Sequence, residues 1–149
     1  MKAIIILLIL ALFSLLIVDS QQNDMKLVDF TYVELDLFLF TDTTDKNTFE
    51  SDAHAARELS HAAHAQGYNL GAAILGNHQT FGSGYNGVYN YVIINSKIIF
   101  IDAKHDDLMD LDDIRNAGRY NYIKLYEDGT KVPFNVRKGL SHDIDLTDM

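Results

Sequence analysis

The sequence contains no cysteine. That excludes thiol nucleophiles, thiolate metal ligands and disulfide bonds. Exported domains of this size often rely on disulfides, so this one has to be held by packing alone. There is no Asn-x-Ser/Thr acceptor, and N-glycosylation is not expected. Positive charge is scarce: 12 Lys and Arg stand against 21 Asp and Glu, a formal net charge of −9. An acidic surface repels phosphate backbones, which argues against nucleic acid as a partner. Internal repeats and low-complexity tracts are also missing, and only one long apolar run exists.

That run opens the chain, as MKAIIILLILALFSLLIVDSQQ. Lys2 gives a short positive start, Ala3 to Val18 is apolar in character, and Val18 and Ser20 stand three and one residues before Gln21. This is the pattern of a secretory signal peptide, residues 1–20, cut after Ser20. The alternative is an uncleaved anchor, but the run's 16 residues fall short of the roughly 18–20 needed to span a bilayer. The expectation is a secreted, extracellular protein with no membrane association after cleavage. Residues 21–149 then form a single domain, its core at about 30–136. Lys2 and Asp19 leave together, so the net charge is unchanged.

Thr31 followed by Glu34 is a capping-box pattern. Tyr32, Leu35, Phe38 and Leu39 would share one face of a short helix over roughly 31–41, although Leu37 and Phe40 widen the apolar surface enough that a buried strand stays open. A polar turn, 41–48, follows. The segment ESDAHAARELSHAAHAQG reads as a helix capped by Ser51 or Asp52 and ended at Gly67, with Ala55, Ala56, Leu59, Ala62, Ala63 and Gln66 on a narrow small-residue face. Leu70 to Leu75 reads as a buried strand, and Gly76 to Gly87 as a loop with four glycines. VYNYVIINSKIIFID reads as two central strands about a tight turn at Asn95-Ser96. Residues 104–113 form an acidic connector with room for one helical turn. RYNYIKLYEDGTKVPFNV reads as a hairpin turning at Asp128-Gly129, and the last ten residues as a polar, frayed end. This order predicts an α+β fold: an antiparallel sheet of about four to five strands packed on a central Ala-rich helix.

In this order and spacing the residues resemble secreted transglutaminase-like domains of the papain-like superfamily, especially small prokaryotic and archaeal ones. Such domains open with Thr-aromatic-x-Glu-aliphatic-x-x-Phe-Leu and then Asp-x-Thr-Asp and an aromatic. Here those positions hold Thr31, Tyr32, Glu34, Leu35, Phe38 and Leu39, then Asp42, Thr44, Asp45 and Phe49. The helix that starts with the family's nucleophilic cysteine is matched by the spacing of Ala56, Leu59, Ala63 and Gly67. The resemblance places the cysteine position at Asp52 and the catalytic histidine position at Gly87. Asn90, three residues on, and Asp102, in the Ile-Asp that ends the next strand, are retained. The similarity covers about residues 30–107 and implies a transglutaminase-like core. It also implies loss of the family's chemistry, which needs thiolate attack on an acyl carbon with a histidine base. A carboxylate at 52 is a poor nucleophile, and glycine at 87 offers no base.

Other constellations could still carry chemistry. Ser51, His78 and Asp102 could form a rebuilt serine triad, against which Ser51 reads equally as a helix cap and His78 as a solvated loop residue; no Gly-x-Ser-x-Gly is present. His54, Glu58 and His61 lie at i, i+4 and i+7 on one helix face and suit Zn²⁺ or Cu²⁺ by ligand type, but a single ion cannot reach all three along about 10 Å of helix. Asp106, Asp107, Asp110, Asp112 and Asp113 carry oxygen ligands suited to Ca²⁺ but lack the EF-hand order, and Lys104, Arg115 and Arg119 could partly neutralise them. Phe81 and Tyr85 in the glycine-rich loop could line a groove beside the family's active-site position, with Asn90 as a further ligand contact. The sequence therefore predicts a secreted non-catalytic transglutaminase-like domain that binds a protein or peptide and needs no cofactor. A hydrolase or acyltransferase with a rebuilt Ser/His/Asp site, and an extracellular metal-binding protein, are the competing readings.

Overall fold

A computed structural model describes residues 26–76, 87–132 and 142–146. Residues 1–20, expected to be a signal peptide, and the loop residues His78, Phe81 and Tyr85 lie outside the described residues.

The first helix, α1 (Tyr32–Thr41), forms where its capping box predicts. Thr31 Oγ1 accepts from the Glu34 amide at 3.3 Å, and Glu34 Oε2 accepts from the Thr31 amide at 2.8 Å. Leu35, Phe38 and Leu39 face inward, but Tyr32 is exposed and does not join them. A 3₁₀ turn at Thr44–Lys46 follows. The Ala-rich helix α2 (Asp52–Ala65) starts at Ser51, whose Oγ accepts from the His54 amide at 3.2 Å. It ends before Gly67, which sits at φ 88°, a left-handed position that glycine occupies without steric cost.

Six strands then form one antiparallel sheet, with β1 (Gly71–Gly76), β2 (Gly87–Ile94), β3 (Lys97–Asp102), β4 (Asp107–Asp110), β5 (Tyr122–Tyr126) and β6 (His142–Asp145) in the spatial order β4-β3-β2-β1-β5-β6. The α+β class and the packing of the sheet on the Ala-rich helix are as the sequence implies. The short edge strands β4 and β6 raise the strand number above the expected four to five. β2 and β3 are joined by the Asn95-Ser96 turn, with φ of 51° and 62°.

Alternation divides the sheet into two faces. Val92, Ile94, Ile99 and Ile101 pack under α1 and α2 against Leu35, Phe38, Leu39, Ala55, Leu59 and Ala63. On the other face Ala73, Leu75, Tyr91, Phe100, Ile123 and Leu125 form a second cluster closed by Ile114 of a short helix, α3 (Leu111–Asn116). β1 lies between β2 and β5 and is buried along its whole length.

Three local expectations are corrected. The acidic connector is β4 followed by α3, because Asp110 and Asp113 make a reciprocal capping box: the Asp113 amide donates to Asp110 Oδ1 at 2.8 Å and the Asp110 amide to Asp113 Oδ2 at 2.9 Å. No hairpin forms at Asp128-Gly129, since β5 pairs with β1 and β6. Asp128 Oδ1 instead accepts from the Thr130 amide and hydroxyl at 3.1 and 2.6 Å and begins a 3₁₀ turn at Gly129–Lys131. Gly129 is needed for close approach: a Cβ there would lie 2.7 Å from the Leu70 carbonyl oxygen and would also meet Ser60 Oγ. The supposedly frayed end supplies β6, which pairs with β5 across Tyr122–Asp145 to Leu125–His142.

Asn90 ties the layers together. Its side chain is 0 % exposed, and Nδ2 lies 2.9 Å from the Ala56 carbonyl, 2.8 Å from Ser60 Oγ and 3.1 Å from the Gly71 carbonyl. One amide therefore bonds the middle of α2 and the start of β1 from its place on β2. Removing it strands buried acceptors. We expect Asn90→Ala to lower stability by about 2–3 kcal/mol in urea unfolding. In a double-mutant cycle with Ser60→Ala the coupling should exceed roughly 0.5 kcal/mol; strictly additive losses would show that the clamp is not shared.

Candidate functional site

The N-terminus of α2, the start of β2 and the end of β3 lie at one end of the sheet. Asp52, the first residue of α2, carries its carboxylate where the helix dipole favours negative charge. Its Oδ1 is 2.5 Å from Lys104 Nζ, in a pair whose side chains are 23 % and 35 % exposed. Lys104 lies two residues past the end of β3, so the ion pair fastens the helix start to the strand end.

Asp102 closes β3 and organises the turn after it. Its Oδ1 accepts from the Lys104 amide at 2.9 Å, and its main-chain oxygen accepts from the amides of His105 and Asp106 at 3.1 and 2.8 Å. Its Oδ2 is 2.9 Å from His105 Nδ1. That bond, and the Asp102 charge behind it, raise the His105 pKa above its ordinary value.

Across the strand, Tyr89 is hydrogen-bonded to Tyr120 and lies within electrostatic reach of both Asp102 and Asp52. Burial first, then Tyr120 and the two carboxylates, hold the Tyr89 phenol un-ionised. Gly87 sits beneath this pair: a Cβ there would be 2.7 Å from the Tyr120 hydroxyl and 2.7 Å from the Tyr89 ring. The two tyrosines thus fill the space that a side chain at 87 would require. The assembled groups are two carboxylates, an ammonium, an imidazole and two phenols.

Asp52, Gly87 and Asp102 all lie at this end of the sheet, but Gly87 and Asp102 sit with Tyr89 on the face opposite α2. Asn90, expected as a ligand contact, is fully buried, and its Nδ2 bonds Ala56, Ser60 and Gly71. Ser51 Oγ serves the helix cap. His54 Nε2 and Glu58 Oε1 are 3.9 Å apart, His61 is exposed one turn on, and among the described residues no three metal-ligating side chains converge. The acidic series also divides into local roles: Asp110 and Asp113 cap α3, and Asp112 pairs with Arg115. Lys104 serves Asp52.

Sequence reasoning missed His105 and Tyr120. His105 was findable from its Asp-x-x-His spacing after a strand, which suits a turn-closing contact. Tyr120 has no local signal, because it reaches Gly87 only through the arrangement of the sheet.

Beside this site the carboxylates crowd. Asp106 adopts φ 56°, and Oδ1 of Asp106 and Oδ1 of Asp45 are both buried with no hydrogen-bond partner. Burial first, then Asp45, Asp42, Asp102 and Asp107, push the Asp106 pKa from 3.8 up to about 6. A carboxyl that binds its proton more tightly when folded makes the protein less stable as pH rises between those two values, and the penalty is complete above the higher one. Asp106→Asn suits the left-handed backbone and removes the charge. We expect it to stabilise the protein by about 1 kcal/mol near pH 7, a figure reduced for partial solvent exposure, and by almost nothing near pH 3. Urea unfolding at both pH values checks this, and an equal gain at both would contradict it.

No protein-family model, curated protein or solved structure matches the chain.

Proposed function

We propose that the chain is an exported, non-catalytic domain of transglutaminase-like descent that acts outside the cell by binding a protein or peptide. The observation that carries this reading is what stands at Asp52 and Gly87, the positions where the resemblance puts nucleophile and base. A carboxylate ion-paired to Lys104 stands in the first position and tyrosine rings close over the second. Neither arrangement attacks an acyl carbon, and both leave a structured, charged surface. Among the described residues no helix is long and apolar enough to cross a membrane.

One observation favours a second reading. The 2.9 Å contact between Asp102 and His105 Nδ1 fixes an imidazole in the manner of an acid-oriented general base, so a rebuilt hydrolase could use His105 where the sequence suggested His78.

The two readings separate in one assay. Purified protein incubated with amine donors and with ester and amide reporters should turn over none of them above the background of Asp102→Ala and His105→Ala variants. Turnover that disappears in both variants, while their unfolding curves stay unchanged, would replace the binding reading with the hydrolase.

A further inference from the structure

The first helix is apolar on both of its sides. Leu35, Phe38 and Leu39 face the core. At about 100° per residue, Val33, Leu37 and Phe40, spaced i, i+4 and i+7, fall on the opposite side. These three are 76 %, 62 % and 87 % exposed. A surface helix ordinarily turns polar residues outward, and one that is apolar all round belongs in an interior. Asp36 stands beside the row, and Glu34 is engaged with Thr31 and Tyr68. No charge therefore interrupts the row itself.

Beside Val33 the surface falls into a depression of about 410 Å³. Tyr32, Val33, Ile93 and Ile94 give it apolar walls, and Tyr32 and Ile93 are themselves partly open to solvent. Phe40 stands at the other end of the row, about 10 Å along the helix. It is the most exposed large apolar side chain among the described residues. The row thus has a knob at one end and a hollow at the other. The open parts of Tyr32, Val33, Leu37, Phe40 and Ile93 amount to roughly 600 Å², the upper end of what a monomer ordinarily leaves uncovered. A standard interface needs about 800 Å² from each partner, so this surface supplies most of one.

We propose that the outer face of α1 is the interface of a symmetric homodimer, in which the two α1 helices pack antiparallel about a two-fold axis at Leu37 and each Phe40 enters the depression beside the partner subunit's Val33. A two-fold axis makes every such contact twice, so one projecting ring and one hollow per chain satisfy each other. Leu37 then meets its own counterpart, and the large Phe40 lies over the smaller Val33. A second copy supplies the matching knob and hollow at the matching spacing. Chains of net charge −9 repel one another, so apolar burial alone has to hold the pair. The assembly goes beyond the binding role proposed above and asks nothing of Asp52, Asp102 or His105.

Sedimentation velocity of the purified protein should show a shift from one chain mass to two between about 1 and 200 µM, as expected of an interface towards the smaller end of the standard range. Raising the salt from about 0.05 to 0.5 M should tighten the dimer, because it screens the repulsion between acidic copies. A dimer that salt weakens would rest on ion pairs and overturn the proposal. Phe40→Asp should weaken association by about a hundredfold or more and leave urea unfolding of the dilute chain unchanged, since the ring lies outside the core. Ala117→Asp adds the same charge just after α3, on the opposite face of the sheet, and should leave association as it is. The chain has no cysteine, so Leu37→Cys carries a single thiol. A short bismaleimide should join two copies through it, and should not join two copies of Ala117→Cys. A dimer that survives Phe40→Asp, or that both aspartate variants weaken equally, would lie elsewhere and contradict the assignment. So would a protein that keeps one chain mass at the highest concentration. In that case a slowly reacting Leu37→Cys thiol would mean that another segment of the same chain covers the row, and a rapidly reacting one that the row serves a different partner.

Discussion

The arrangement depends on one buried amide. Hydrophobic contact between α2 and the sheet is strong but non-directional, and a helix face of alanines could slide or rotate over a floor of isoleucine, valine and leucine at little cost. The Asn90 amide removes that freedom, because it must find the Ala56 carbonyl, Ser60 Oγ and the Gly71 carbonyl together. The small residues on α2 serve the same end. Ala56 and Ser60 are completely buried, and their short side chains let the helix come near enough for a strand residue to reach its backbone. Packing provides most of the stability, and the amide selects one position for it.

That position decides the chemistry at the sheet end. With α2 fixed, Asp52 falls beside Lys104, and the turn built on Asp102 holds His105 next to it. With the residues present, an ion pair and a tyrosine pair occupy the place. On the proposed reading the frame has been kept while its reactive groups were exchanged for ones that hold charge and shape. The crowded carboxylates of Asp42, Asp45 and Asp106 are the cost of that turn, concentrated where the chain passes from β3 to β4.

Features encoded over a few residues were legible in the sequence. Thr31 with Glu34, Ser51 ahead of the alanines, Gly67 after them, and Asn95-Ser96 between apolar runs each state a local geometry, and each forms. What escaped was decided at long range or by competition between equivalent local signals. Asp128-Gly129 satisfies the rules for a hairpin turn equally well as an Asp-capped 3₁₀ turn, and contact with Leu70 and Ser60 settles the matter. Asp110 and Asp113 read only as part of an acidic connector, because their reciprocal cap shows only when the helix start is known. Asn90 carried the expected residue type, but its role follows from burial, which periodicity alone does not give. Tyr120 meets Gly87 through a sheet order that no local pattern specifies.

β1 lies at the middle of the sheet, yet its two partners arrive at different times. β2 follows it along the chain and forms its own hairpin with β3, whereas β5 comes only after β4 and α3. Closing the shorter loops first is entropically cheaper. During assembly one edge of β1 therefore stands open, a six-residue segment without a single charged side chain, as Gly-Ala-Ala-Ile-Leu-Gly. Such an edge is a template for pairing with another molecule. The strand itself carries no gatekeeper residue, so protection in that interval falls to mutual repulsion between strongly acidic nascent chains. The excess of aspartate and glutamate works against such pairing before the fold is complete.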